Sequence, residues 1–215
     1  MKERPILFSG PMVRAILEGR KTQTRRIVKQ QPDDNGLSHM PNAPLDWRDE
    51  VHGEWIQWKG ETPNGDTWRG RVQCWPGDRL WVRETHRFTQ DKYHDRIQYR
   101  ADGEELFVHD NAEWLRNKDR DRWRPSIFMP RWASRITLDV TKVSVQRLQD
   151  ISEEDAKAEG CEEITPGFYR NYLSTDGATY YSAAMSFQSL WESINGTGSW
   201  DANPWVWVVT FKKIN

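Results

Sequence analysis

Gly19-Arg20-Lys21-Thr22-Gln23-Thr24-Arg25-Arg26 is the stretch on which the reading of this chain turns. Before it, Val13, Ile16 and Leu17 recur at helical spacing. Ser9 stands where a helix cap is expected, and Pro11 suits a first helical turn. Gly19 can end that helix, because a residue without Cβ takes the left-handed turn at no steric cost. Past the turn, Thr22 to Val28 reads as a strand. A lysine and a threonine three apart, among arginines at a helix-to-strand junction, form a candidate reactive site.

Upstream of the junction, Pro5-Ile6-Leu7-Phe8 reads as a first strand. Downstream, Arg79 to Glu84 reads as another, after the turn Trp75-Pro76-Gly77-Asp78. There Leu80 and Val82 share one face, Trp81 and Arg83 the other. Glu84 falls on the face of Leu80 and Val82, so an acid at the rim of the interior needs a partner; Arg83 is the neighbouring choice. Ile97 to Arg100 is a candidate strand. Arg135 to Arg147 is strand-like, with a slip in alternation at Thr141-Lys142 that predicts a bulge or turn. Ser152-Glu153-Glu154-Asp155 is a capping box opening a helix to Glu159, and Gly160 stops it. Ala183 to Ile194 reads as a helix with Phe187, Leu190, Trp191 and Ile194 on one face. Trp205 to Phe211 reads as a closing strand, apolar on both faces.

The 215 residues suit one domain with insertions, expected at about 30–75, 86–126 and 162–182. The first is Trp-rich, with Trp55–Trp58 and Trp68–Val72 as a candidate hairpin. Its tryptophans either plug one end of a barrel or offer a stacking surface for bases. Mean hydropathy of -0.90 and 36% hydrophobic residues imply a large polar surface, and the low aliphatic content with many Gly, Pro and Trp argues against a helical bundle and for a β-rich domain. Net charge is -1, so the whole chain shows no bias toward a polyanion. Locally, Arg14, Arg20, Lys21, Arg25, Arg26 and Lys29 stand against Glu18 alone. From Arg116 to Arg135, seven basic residues stand against Asp119 and Asp121. Two cysteines, Cys74 and Cys161, show no zinc spacing, and no metal or other cofactor is expected. The N-terminus carries no signal-peptide pattern and no run reaches membrane length, so a cytoplasmic protein without a membrane partner is expected.

Three elements occur in a recognisable order: the helix before Gly19–Arg26, then Pro76-Gly77-Asp78-Arg79-Leu80-Trp81-Val82, then the Ser152–Gly160 helix followed by the closing strand at Pro204–Val208. In these the chain resembles ASCH domains of the PUA-like superfamily, especially the expanded form of bacteriophages and prophages. The resemblance covers roughly half the chain. It implies an α+β fold: a small PUA-like β-barrel flanked by helices, with a ligand cleft. It implies RNA or a modified nucleoside or nucleotide as partner. One branch of small ASCH proteins removes the acetyl group from N4-acetylcytidine, and its lysine, threonine and glutamate match Lys21, Thr24 and Glu159 by motif position. Glu84, Arg83, Trp81, Arg25 and Arg26 are the accompanying candidates for substrate contact.

The chemistry of that set is coherent. A threonine hydroxyl attacks only when a base takes its proton. Lysine can be that base if burial and neighbouring positive charge lower its pKa from about 10.4. A glutamate positions the lysine or protonates the leaving amine. Residues three apart on a straight strand point to opposite faces, so Lys21 and Thr24 meet only if the chain bends near Arg20 to Thr22. The alternatives are a non-catalytic reader of RNA or modified bases, a phage morphogenesis or host-interaction protein that retains the fold, and, more weakly, a ribonuclease.

Overall fold

The computed structural model describes residues 1–29, 31, 55–59, 67–71, 74–90, 94–108 and 121–214, with 55–59 and 67–71 as backbone only. The architecture is α+β, mostly sheet with few helices. The described strands form open sheets, and no closed barrel is found among them. The chain divides into two compact units, 1–19 with 78–139 and 213–215, and 20–77 with 140–212.

In the first unit, β1 (Glu3–Leu7) runs parallel to β5 (Arg79–Arg83), and β5 pairs antiparallel with the first residues of β9 (Thr137–Arg147). Helix α1 (Gly10–Leu17) carries Pro11 in its first turn and buries Val13, Ala15 and Ile16. Ser9 holds the cap position, but its side chain makes no cap hydrogen bond. Gly19 sits at φ +76, the left-handed turn expected of it. The 86–126 region holds β6 (His86–Gln90), β7 (Asp95–Tyr99) and β8 (Glu105–Phe107), an antiparallel sheet in that order. Phe88, Ile97 and Tyr99 turn inward onto Met129 and Ala133.

In the second unit, the rest of β9 lies beside β13 (Trp205–Lys213), and β13 pairs antiparallel with β2 (Gln23–Ile27). Strand β9 runs unbroken through Thr141-Lys142. The slip appears instead as two consecutive exposed residues, followed by four buried ones. Helix α2 (Glu153–Ala158) is capped by the Ser152 hydroxyl, which accepts from the Asp155 amide at 3.1 Å, and Gly160 leaves it at φ +89. Helix α3 (Ala183–Asn195) buries Phe187 and Trp191 on Val206 and Val208 of β13. Ile194, expected on that face, is 54% exposed because it lies in the last turn, past the buried stretch of the helix.

The 162–182 region, expected as a turn-rich insertion, folds into a small sheet of β10 (Glu163–Thr165), β11 (Phe168–Arg170) and β12 (Thr179–Tyr180). The expected hairpin is present as β3 (Trp55–Lys59) and β4 (Thr67–Arg71), with Trp58 opposite Trp68. Trp47, and residues 116–120 of the second basic stretch, lie outside the described residues. Cys74 and Cys161 are buried and form no disulfide among the described residues. Among the described residues no helix is long and apolar enough to cross a membrane, and no group of acidic, histidine or cysteine side chains is arranged to hold a metal.

Candidate functional site

The junction after Gly19 is pinned to the end of α2. The Thr22 amide donates to the Ala158 carbonyl at 2.8 Å, Lys21 and Glu159 form an isolated antiparallel bridge, and the Arg20 guanidinium reaches the Gly160 carbonyl at 3.0 Å. This pinning follows from the two caps: Gly19 turns the chain out of α1, and the end of α2 leaves carbonyls without helical partners.

Lys21 is 2% exposed and Glu159 3%. The Lys21 ammonium donates to the Gln23 carbonyl at 2.7 Å, the Glu159 carbonyl at 2.8 Å and Glu159 Oε2 at 2.8 Å. An ammonium has three donors, and all three have acceptors here. Burial drives the Lys21 pKa below its ordinary value; the Glu159 charge and hydrogen bond oppose that shift, and Arg26 adds to it. Arg25 extends the network: its Nη1 meets Glu159 Oε1 at 3.1 Å and Gln23 Oε1 at 2.5 Å, and its Nη2 meets Asp155 Oδ2 at 2.9 Å. Two cations and two carboxylates thus balance, with Lys21, Arg25 and Glu159 buried and Asp155 at the solvent edge, its side chain 34% exposed. Such a pair is retained only when every partner is satisfied.

Lys21, Glu159 and Arg25 therefore come together. Thr24 does not join them. It is 3% exposed, lies inside regular β2 opposite Val209, and shares no hydrogen bond with Lys21 or Glu159. Gln23 and Arg25 face the α2 network, so strand alternation sends Thr24 and Arg26 to the other face, with Trp207 and Val209. The chain turns at Glu18–Gly19, ahead of the expected bend near Arg20 to Thr22, and the alternation within β2 is intact. Arg26 is half-buried there; burial lowers its pKa and the charge of Glu159 acts against that.

Glu84, Arg83 and Trp81 belong to the first unit. Glu84 is 1% exposed, and its partner is Arg135 rather than Arg83. Arg135 Nε and Nη2 meet the two Glu84 oxygens at 2.9 and 2.8 Å, the two-point geometry a guanidinium favours. Arg135 also pairs with Asp102 at 2.8 Å and with Glu104, and lies 4.1 Å over the Tyr99 ring. Burial raises the Glu84 pKa against the pull of Arg135. At Asp102, burial is the largest single influence and works against the charge, but the Arg135 hydrogen bond and charge, together with backbone amide donors, outweigh it and lower the pKa. Arg83 stacks on Trp81 at 4.6 Å, with Arg131 5.9 Å from the same ring, and Trp81 is only 7% exposed. At that burial the Trp81 ring offers little surface to a ligand.

Gln23, Asp155 and Arg135 are the members that sequence reasoning missed. Periodicity offered a partial signal: Asp155 lies four before Glu159 on a helix, and Gln23 two before Arg25 on a strand. Nothing local points from Glu84 to Arg135. The chain matches no family model, no curated protein and no solved structure.

His86 gives a pH prediction. It is fully buried, its Nδ1 lies 3.2 Å from the Glu84 carbonyl, and its Nε2 has no hydrogen-bond partner among the described residues. Burial lowers its pKa below 6.5; the Glu84 carbonyl opposes this and Arg124 reinforces it. Below pH 6.5 the unfolded histidine takes up a proton before the folded one, so its contribution to stability is lost as pH falls toward the folded pKa. The slope is at most about 1.4 kcal/mol per pH unit. Glu84, with its raised pKa, acts with the opposite sign, so the difference between wild type and His86→Gln isolates the histidine. That difference should shrink as pH falls from 6.5 toward 5 in urea titrations.

Proposed function

We propose that this chain is an ASCH-type protein of the expanded bacteriophage kind that binds RNA or a modified nucleoside. One observation supports the reading above the others. Lys21 and Glu159, which occupy the motif positions of the ASCH lysine and glutamate, are 138 residues apart in sequence and 2.8 Å apart in space. On this reading the network holds the end of α2 against β2 and fixes the strand on whose other face Thr24 and Arg26 lie. Arg26 supplies a cation for a phosphate or a carbonyl of the base, and Trp207 flanks it across the β2–β13 pair.

A second reading, hydrolysis of an N-acyl amide on a modified cytidine, is favoured by the lowered pKa of the buried Lys21 beside Glu159. It is weakened by the placement of Thr24, whose hydroxyl shares no hydrogen bond with the Lys21 amine that would take its proton. The PUA-like barrel stays part of the proposal on the motifs alone.

Calorimetric titration with N4-acetylcytidine, cytidine and a 12-nucleotide RNA tests both readings, with chromatography to follow conversion of N4-acetylcytidine to cytidine. Saturable binding that weakens at least tenfold in Arg26→Gln is the expected result. Conversion that stops in Thr24→Val would install the hydrolase reading. No heat from N4-acetylcytidine or cytidine at millimolar concentration, with RNA binding unchanged in Arg26→Gln, would overturn the proposal.

A further inference from the structure

The outward face of β6–β8 carries cations that neither network uses. Phe88, Ile97 and Tyr99 turn into the core, so Arg87, Arg96, Gln98 and Phe107 alternate onto the other face. Arg87 Nε donates to Gln98 Oε1 at 2.6 Å, which fixes the plane of its guanidinium. That group lies 4.8 Å from the centre of the Trp123 ring, and Arg100 lies 5.8 Å from it. Arg96 stacks 4.9 Å over Phe107, which is 55% exposed. Arg96 pairs with Glu105 at 3.1 Å. Among the described residues, Arg87, Arg100 and the exposed Arg122 have no carboxylate partner.

We propose that this face binds a single strand of nucleic acid, with bases stacked on Trp123 and Phe107 and phosphates on Arg87, Arg100 and Arg122. The pairing of planar cations with aromatic rings selects this occupant. A base offers a ring to stack on indole or guanidinium, and its phosphate neutralises the arginines. A duplex keeps its bases stacked on each other, and so offers no free base face to Trp123 or Phe107. An acidic polypeptide matches the charge but has no ring for Trp123. The face lies within one unit and does not depend on the Lys21 site; nucleoside binding at that site is read separately by calorimetry.

The test is fluorescence anisotropy with labelled 12-nucleotide oligouridylate and oligothymidylate across a salt series, with thermal melts of every variant. Arg87→Gln/Arg100→Gln is expected to weaken binding at least tenfold. It should also flatten the salt dependence by about 0.7 for each phosphate the variant no longer neutralises. Trp123→Ala is expected to weaken binding about fivefold or more while leaving the salt slope unchanged. Trp123→Phe should restore most of that affinity, which separates stacking from a folding defect. Arg170→Gln, an exposed arginine of the other unit, serves as the control and should bind like wild type. Wild-type affinity in the double arginine variant would overturn the proposal. So would polyglutamate, or a 12-base-pair duplex, displacing the labelled strand as well as the unlabelled strand does.

Discussion

Lys21→Met is expected to destabilise the protein by about 3–5 kcal/mol in denaturant unfolding, the usual cost of removing one partner from a buried ion pair. The effect is large because the change leaves buried polar groups unmet. Without the ammonium, the carbonyls of Gln23 and Glu159 lose a donor each, and the Glu159 carboxylate, 3% exposed, keeps Arg25 at 3.1 Å as its hydrogen-bonded cation among the described residues. The partnered variant sharpens the expectation. Lys21→Met with Glu159→Gln removes both charges together, so it should be less destabilised than the sum of the two single changes. Arg25 keeps Asp155 and Gln23 in that background. A loss under about 1 kcal/mol for Lys21→Met would place the pair with exposed ion pairs and remove its fastening role.

Arg135→Met should cost a similar amount, with a pH dependence carried by Glu84. Arg135 is the cation shared by Glu84, Asp102 and Glu104. Remove it and three carboxylates face one another, one of them 1% exposed. The raised pKa of Glu84 then rises further, since burial and the neighbouring charges act unopposed. Between the unfolded value of 4.5 and that raised value, the folded state holds a proton the unfolded state has lost. Stability therefore falls as pH rises through this window. The variant should lose about 3–5 kcal/mol at pH 8 and clearly less near pH 4.5. Adding Glu84→Gln should remove most of that pH dependence. Equal losses at both pH values would show that Glu84 does not depend on Arg135 for its charge.

Much of the frame was legible beforehand because it rests on local physics. Gly19 and Gly160 stop their helices through a backbone conformation only glycine adopts freely, and both show positive φ. Ser152 caps α2 because its hydroxyl is one turn from an orphan amide. The alternation of Arg79–Arg83 separated Leu80 and Val82 from Trp81 and Arg83 before any partner strand was known. The hairpin of Trp55–Lys59 and Thr67–Arg71 followed from strand formers around a turn.

What stayed illegible is long-range. Alternation states that Lys21 and Thr24 point apart on a straight strand; only the fold decides that the turn is complete at Gly19 and leaves them apart. That Glu84 needed a cation followed from its place on an apolar face; that the cation is Arg135, 51 residues on, is a fact of tertiary packing. The small sheets within 86–126 and 162–182 draw on short strands with exposed faces, which leave little periodic signal. The order of residues was enough to place the helix ends, the strand faces and the need of buried acids for partners, because steric limits and desolvation act on each residue where it stands. Which charges meet was settled in three dimensions, because a buried pair is chosen by the shape that excludes water from both members at once.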